Sequence, residues 1–515
     1  MNRLPPHHPV PDAVDSESVV EPDTPIAEQV SVEVAEMEVE AAGVIRAGKL
    51  AGKPMWTAIW ILALPVLFQQ FMAAGVGLVD KILAGNLRNE VVVPAMDAIG
   101  IGSYVGWLIG IAMAGLGIGG QVLIARGMGS GDLQQSGRAL GQALGLSVTW
   151  GALVGAAMWF TTVPLAHLCQ LSDEATVYCT QYVHMIALAM PFTGIMMVGS
   201  MCMHGAGETT LPSLIAVGVN IVNIVFSWIL SGVDIQVGGS VLQNPFHFDL
   251  DVYGIAGGTA ISYVFGAAMT VLILVRGVKD LRLEWNHMLP DRLMTRRIVT
   301  LGVPNFFEGM AMWGVNLFVL AFIGQIARSI GPSGAAEGLQ GAHIIAVQWE
   351  ALSFLPGFAM GTAAGAMAGQ YLGARNPVMA QKSIIACTAV ACIIMGLFGV
   401  LFMTVGEGLT SIISSEPVHL QYTPRLLFIA GTIQVFFAIA MVIRQGLRGA
   451  GDAVWPFLIT SLSSYLVRLP AAWLLGVYLG WGIEGIWMAL CGELVVRAML
   501  FSARFMHGGW KRLRV

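Results

Sequence analysis

The chain has 515 residues, 56% of them hydrophobic and 11% charged, with a net charge of −5. Soluble domains carry about 25% charged residues, so the composition excludes a water-soluble globule and points to a polytopic membrane protein. The apolar runs are far longer than the roughly ten-residue alternating strands of a membrane barrel, so the spans must be helices.

Residues 1–40 hold ten acidic side chains and one base, Arg3, with no long apolar run. Such a segment predicts a disordered acidic tail, assigned to residues 1–53. It lacks the apolar core of a secretory signal. Arg46, Lys49 and Lys53 precede the first span and argue for a cytoplasmic N-terminus. The first span, Trp56–Gly85, would run about 45 Å as a helix, more than the roughly 30 Å hydrocarbon core. Pro65 predicts a bend within it. Its first ionisable residue is Asp80. A carboxylate within a span is costly and by default functional, facing a bundle interior or a wet cavity.

A second span is predicted near 98–125, with the close-packing run Gly115–Gly120. Others follow near 139–161, 177–203, 211–231 and 254–275. The loop 232–253 has three acids and no Lys or Arg, whereas 276–297 has six bases. The first is therefore outside and the second cytoplasmic. Spans near 298–326, 340–371, 380–404, 425–446, 453–478 and 482–505 complete twelve, and the basic C-terminal tail returns to the cytoplasm. Six cysteines show no metal-ligand spacing. Cys169 and Cys179 flank one outside loop, and small packing residues are the default reading for them.

The chain repeats. Gly373 in LGA stands 244 residues after Gly129 in MGS, and RGAGDAVWPFLI (448–459) follows HGAGETTLPSLI (204–215) by the same offset. Pro304 and Gly324 follow Pro65 and Gly85 by 239, and GIEG (482–485) answers GIAG (254–257). The expectation is an all-α polytopic protein of twelve transmembrane helices in two six-helix repeat bundles, 54–280 and 281–506, with a basic tail at 507–515. An even number of spans per half gives parallel halves, with substrate bound between them near the midplane.

These segments resemble the multidrug and toxic compound extrusion (MATE) family. LPVLFQQFMAAGVGLVDKILAG is similar to its first helix and GAHIIAVQWEALSFLPGFAMGTAAGAMAGQYLGA to its eighth helix and following turn. QGLRGAGDAVWPF is similar to the turn after helix ten, and VRLPAAWLLGVYLGWGIEGIWMAL to its ending. The resemblance implies a V-shaped pair of bundles and export of organic, often cationic, compounds driven by inward flow of H⁺ or Na⁺. It also departs from the family pattern. Lys81 stands where a small polar residue usually follows the Asp, and Asn223 and Ser227 where some proton-coupled members have Asn and Asp. Phe437 falls near the tenth-helix Asp of some Na⁺-coupled members, and Glu308 lies about one turn early.

Candidate residues follow, each with its alternative. Asp80 is the ion- or proton-coupling carboxylate, or else a helix-end group paired with Lys81. Neighbours in sequence do not share a helix face, which weakens that pairing. Asn220, Asn223 and Ser262 complete its site, or else make interhelical hydrogen bonds. Glu308 and Glu350 bind cationic substrate or a second proton, or else pair structurally with Arg468, which needs a partner in the membrane. Glu493 and Arg497, at i and i+4, pair with each other. His343 and Gln348 line the cavity, or else His343 is a packed polar residue. The methionine-rich fourth span is an adaptable surface or an apolar packing face.

No GxxxxGK[ST] loop supports ATP-driven transport, and no nucleophile–base constellation suggests an enzyme. The expectation is a secondary antiporter of the cytoplasmic membrane with both termini cytoplasmic. It takes small organic cationic or amphipathic compounds as substrates, H⁺ or Na⁺ as coupling ion, and no metal or other cofactor. Its surroundings are the lipid bilayer with no nucleic acid, and it acts as a monomer. A flippase for lipid-linked intermediates on the same fold is the alternative, and a non-transporting scaffold displaying the acidic tail is a third reading.

Overall fold

The computed structural model describes residues 44–168, 172–237, 240–246, 248–330 and 334–513. Twelve helices among them are long and apolar enough to cross a membrane. The first bundle is α1 (Met55–Gly85), α2 (Asn89–Ser130), α3 (Leu133–Leu168), α4 (Asp173–Gly205), α5 (Thr210–Ser231) and α6 (Asp251–Arg276). The second is α7 (Arg292–Ile330), α8 (Gly334–Gly373), α9 (Pro377–Ile413), α10 (Pro417–Gly449), α11 (Val454–Tyr478) and α12 (Gly482–His507). Several helices outrun their predicted spans. The apolar pattern marks only the lipid-buried stretch, while the backbone ladder continues past it. The all-helical expectation misses one small exception, an antiparallel pair β1 (Ile235–Val237) and β2 (Ser240–Leu242) in the loop before α6.

Pro65 lies inside α1 and cannot donate to the carbonyl of Ile61. Thr209 Oγ1 donates to that carbonyl at 2.9 Å, and Ser213 Oγ donates to the Pro65 carbonyl at 2.5 Å. Further along, Asn220 Nδ2 donates to the Met72 carbonyl at 2.7 Å. Thr209, in the turn before α5, thus satisfies the carbonyl that Pro65 frees, and Ser213 and Asn220 of α5 add bonds to two further α1 carbonyls. In α11 the winding widens to π-helix over Ser464–Arg468 and again over Trp473–Tyr478. π-turns disturb side-chain register and occur often at functional sites.

The bundles meet at the end that carries the turns 131–132, 206–209, 374–376 and 450–453. The contact is reciprocal. Gly129 lies so close to the Gln370 carbonyl, and Gly373 to the Arg126 carbonyl, that a Cβ at either glycine would collide with backbone. Arg126 Nη2 donates to the Ala450 carbonyl at 2.9 Å, and Gln370 Nε2 donates to the Gly205 carbonyl at 2.8 Å. The repeat offset of 244 relates Gly129 to Gly373 and Arg126 to Gln370. The duplication seen in the sequence therefore builds a pseudo-twofold seam. Higher in the fold, α2 and α7 touch at Gly115 and Gly302 and at Ile111 and Gly309.

The boundary set at residue 53 falls later than the packing. Ile45 and Leu50 are buried against α1, α8 and the second bundle, while Ala47 packs into the first. Gly48 N donates to Asp280 Oδ2 at 2.7 Å, and Lys49 Nζ pairs with Glu208 at 3.1 Å. Residues 44–53 are thus a strap across the seam. The acidic residues 1–43 and Cys169 lie outside the described residues. At the other terminus Trp510 is buried against Phe505, and the Leu513 carbonyl accepts from Arg126 Nη2 at 3.2 Å.

Candidate functional site

Asp80 is 1% exposed, on the inner face of α1. Lys81 is exposed, and no base pairs with Asp80 among the described residues. The carboxylate is instead held by neutral groups from three other helices of its bundle. Tyr182 Oη of α4 donates to Oδ2 at 2.7 Å, and Thr259 Oγ1 of α6 lies 3.0 and 3.1 Å from the two oxygens. Asn223 Nδ2 of α5 is 3.5 Å from Oδ1 and also lies 2.9 Å from Thr259 Oγ1 and 3.2 Å from Ser227 Oγ. Asn223 Oδ1 is buried with no donor among the described residues. A buried carboxylate beside an orphaned amide oxygen is a cluster of acceptors. It suits either a proton on the carboxyl, which turns it into a donor, or a small hard cation.

Two of the residues grouped with Asp80 in the sequence do not bond it here. Asn220 caps the α1 backbone, and Ser262 Oγ donates to the Thr259 carbonyl on its own helix at 2.7 Å. Two contributors, Tyr182 and Thr259, gave no signal, because tyrosine and threonine are ordinary span residues. The i, i+4 pair Asn223 and Ser227 was the only available cue, since both point to one face of α5.

The second bundle holds a charged network on the corresponding helices, α7, α10, α11 and α12. Glu308 forms ion pairs with Arg448 and, at 3.3 Å, with Arg444, both on α10. Arg468 is therefore neither alone nor joined to Glu308. Its Nε and Nη2 donate to Glu493 Oε2 at 3.1 and 2.7 Å. Arg497 Nε and Ser463 Oγ donate to Glu493 Oε1 at 2.8 and 2.5 Å, and Arg497 Nη2 donates to Ser464 Oγ at 2.9 Å. The widened turn of α11 supplies Ser464 and Arg468 to this network from one short stretch. The Glu350 carboxylate makes no hydrogen bond among the described residues, and its charged neighbours include Arg468. His343 is buried and accepts from Trp487 Nε1 at 3.1 Å, while Gln348 is exposed. The sequence reading missed Arg444 and Arg448 as members, although Arg448 opens the repeated RGAGD turn.

The repeat relates these pairs. The offset of 239 on the first helix of each half takes Glu308 to Gln69, and 244 on the fourth takes Arg448 to His204. His204 Nε2 and Gln69 Oε1 are indeed 3.1 Å apart. A charged pair in one bundle stands where a polar pair stands in the other.

The family model MatE matches residues 65–229 and 304–474. A relative described as a probable multidrug resistance protein NorM from Thermotoga maritima is 24% identical over 459 residues, covering 88% of this chain and 93% of that protein. The fold is similar to a crystal structure of MATE in the bent conformation, with TM-score 0.78, 18% identity and coverage of 88% and 96%. It is also similar to the outward-facing conformation of a multidrug resistance MATE family transporter of the MOP superfamily, with TM-score 0.75, 19% identity and the same coverage.

Proposed function

Because the chain belongs to the MatE family, we propose that it is a secondary active antiporter exporting small organic, cationic or amphipathic compounds in exchange for H⁺ or Na⁺. The observation that carries this reading is the Asp80 cluster, a buried carboxylate that, among the described residues, has no basic partner and stands beside an amide oxygen with no donor. A bound ion can bias an inward–outward equilibrium only through differential affinity for the two states. Asp80 and Asn223 lie on α1 and α5, and the hydrogen bond missing at Pro65 gives α1 a place to change shape. A cation on Asp80 would alter the contacts among α1, α4, α5 and α6, which is the coupling that antiport needs.

The six bases of 276–297 lie at the end where the bundles meet, so by charge bias that end is cytoplasmic, as are both termini. The structure then represents the state closed toward the cytoplasm. We take the protein to act as a monomer in the cytoplasmic membrane, with Glu308 and Glu350 as a second ionisable site and His343 and Gln348 near the cavity. Reconstitution into liposomes with separately imposed H⁺ and Na⁺ gradients tests the reading. Dye efflux should follow one gradient in wild type and be lost in Asp80→Asn, while binding of the dye persists. Equal efflux by wild type and Asp80→Asn under both gradients overturns the role of Asp80.

A further inference from the structure

We propose that the second bundle contains an anion site for a carboxylate-type group, built on Arg444 and Arg448 and occupied in this structure by the protein's own Glu308. The inference rests on the transport reading above and narrows its amphipathic substrates to those that carry an acidic group.

The charge count comes first. Arg444 and Arg448 share the Glu308 carboxylate, and Arg468 and Arg497 share Glu493, two arginines to one carboxylate in each cluster. Glu350 stands by Arg468 of the second cluster, so the Arg444–Glu308–Arg448 cluster keeps one excess positive charge inside a membrane-spanning bundle. An uncompensated charge there is costly, and a counter-ion removes the cost. The hydrogen-bond inventory gives the same answer independently. The Nε–H groups of Arg444 and Arg448 are both buried and have no acceptor among the described residues. Arg448 is itself 9% exposed. A guanidinium presents its donors as a planar fork that matches an oxyanion in two-point geometry. Two such forks share the single Glu308 carboxylate, which leaves donors over.

Position and access fit. Arg444 is the open member of the pair, its side chain 21% exposed against 1% for Glu308. Arg448 stands two residues before Ala450, whose carbonyl accepts from Arg126 of the other bundle at 2.9 Å. The arginines therefore lie close to the seam between bundles, above its closed end. An acidic group arriving there would compete with Glu308 for the same donors. That competition gives the test its sign.

The probe is sodium benzoate, titrated calorimetrically into the full-length protein in nanodiscs, with sodium chloride as a competing arm. Wild type should bind benzoate, Glu308→Gln should bind it about tenfold more tightly, and Arg444→Gln about tenfold more weakly. A purely structural role for Glu308 would not produce tighter binding on its removal. Competition by chloride assigns the site to free anions as well as organic acids, and lack of competition assigns it to the acidic group of an organic compound. Benzoate binding that is absent from both wild type and Glu308→Gln, or equal in all variants, overturns the proposal. Should Arg444→Gln fail to insert, Glu308→Gln alone decides. Dye efflux under imposed gradients is read separately. Intact efflux without benzoate binding removes the anion site alone, whereas benzoate binding without gradient-driven efflux removes the antiport reading alone.

Discussion

Asp80 was legible because it is the first ionisable residue of a long apolar run, and of its neighbours Asn223 was legible but Tyr182 and Thr259 were not. Asn220 and Asn223 are three apart on α5, close enough to read as one group. The structure sends Asn220 to the α1 backbone and Asn223 to the carboxylate. Which of two adjacent amides meets a given partner depends on helix rotation, and rotation is fixed by packing that a single sequence does not display. Asn223→Leu separates the two roles. It removes the orphaned acceptor beside Asp80 while leaving the α1 contact of Asn220 intact. The expected outcome is normal insertion with loss of gradient-driven efflux. Binding of a fluorescent substrate in detergent, measured in parallel, should stay within a few-fold of wild type.

At the scale of elements, Pro65 announced a missing hydrogen bond in α1, but not how the freed carbonyl is satisfied. The released Ile61 carbonyl is capped by Thr209, which lies in the turn before α5. Thr209→Val keeps the shape and deletes the donor. An unsatisfied buried carbonyl costs about 1–3 kcal/mol, so the variant should show a lower thermal midpoint, whereas Thr209→Ser should match wild type. The strap was hidden for another reason. Its few apolar residues, Val44, Ile45, Ala47 and Leu50, are too sparse to stand out from the acidic stretch before them. Ile45, Ala47 and Leu50 bury well because two bundles flank them at once, while Val44 stays exposed. Removing residues 1–43 should leave efflux within a few-fold of wild type. Removing 1–53 also deletes the Lys49–Glu208 pair and the Leu50 contact. That truncation should lengthen and broaden the distance between spin labels at Ser130 and Arg375, which sit on opposite bundles. Matching distance distributions for the two truncations would contradict a role for the strap in holding the seam.

For the whole molecule, the twelve helices and the duplication could be read in advance. Span length and repeated turns depend on local composition, which a sequence carries directly. The seam could not be read, although it is made of those same repeated turns. Gly129 and Gly373 were visible as equivalent positions, but not as positions where each bundle touches the other's backbone. Gly129→Leu cannot be accommodated without parting the bundles there. The variant should fold, because each bundle keeps its own core, and should hold the seam open. Spin labels at Ser130 and Arg375 should then report a long distance under all conditions, with efflux abolished. A wild-type distance in Gly129→Leu would show that the seam yields locally instead.

The ion pair between Glu308 and Arg448 joins residues 140 positions apart. Glu493 and Arg468 are only 25 apart. During synthesis these separations become waiting times. At about 5–20 residues per second, α7 is made roughly 7–30 s before the arginine that neutralises its glutamate. Through that interval an apolar helix bearing one carboxylate must be held at the insertion machinery, at the bilayer surface or against the finished first bundle. The first bundle waits as long, since Lys49 precedes Glu208 by 159 residues and Asp80 precedes Thr259 by 179. Each half therefore carries one early carboxylate that must wait for late helices, and α1 to α6 and α7 to α10 are the stretches over which a ribosome pause or a shortage of chaperone would leave it unpartnered.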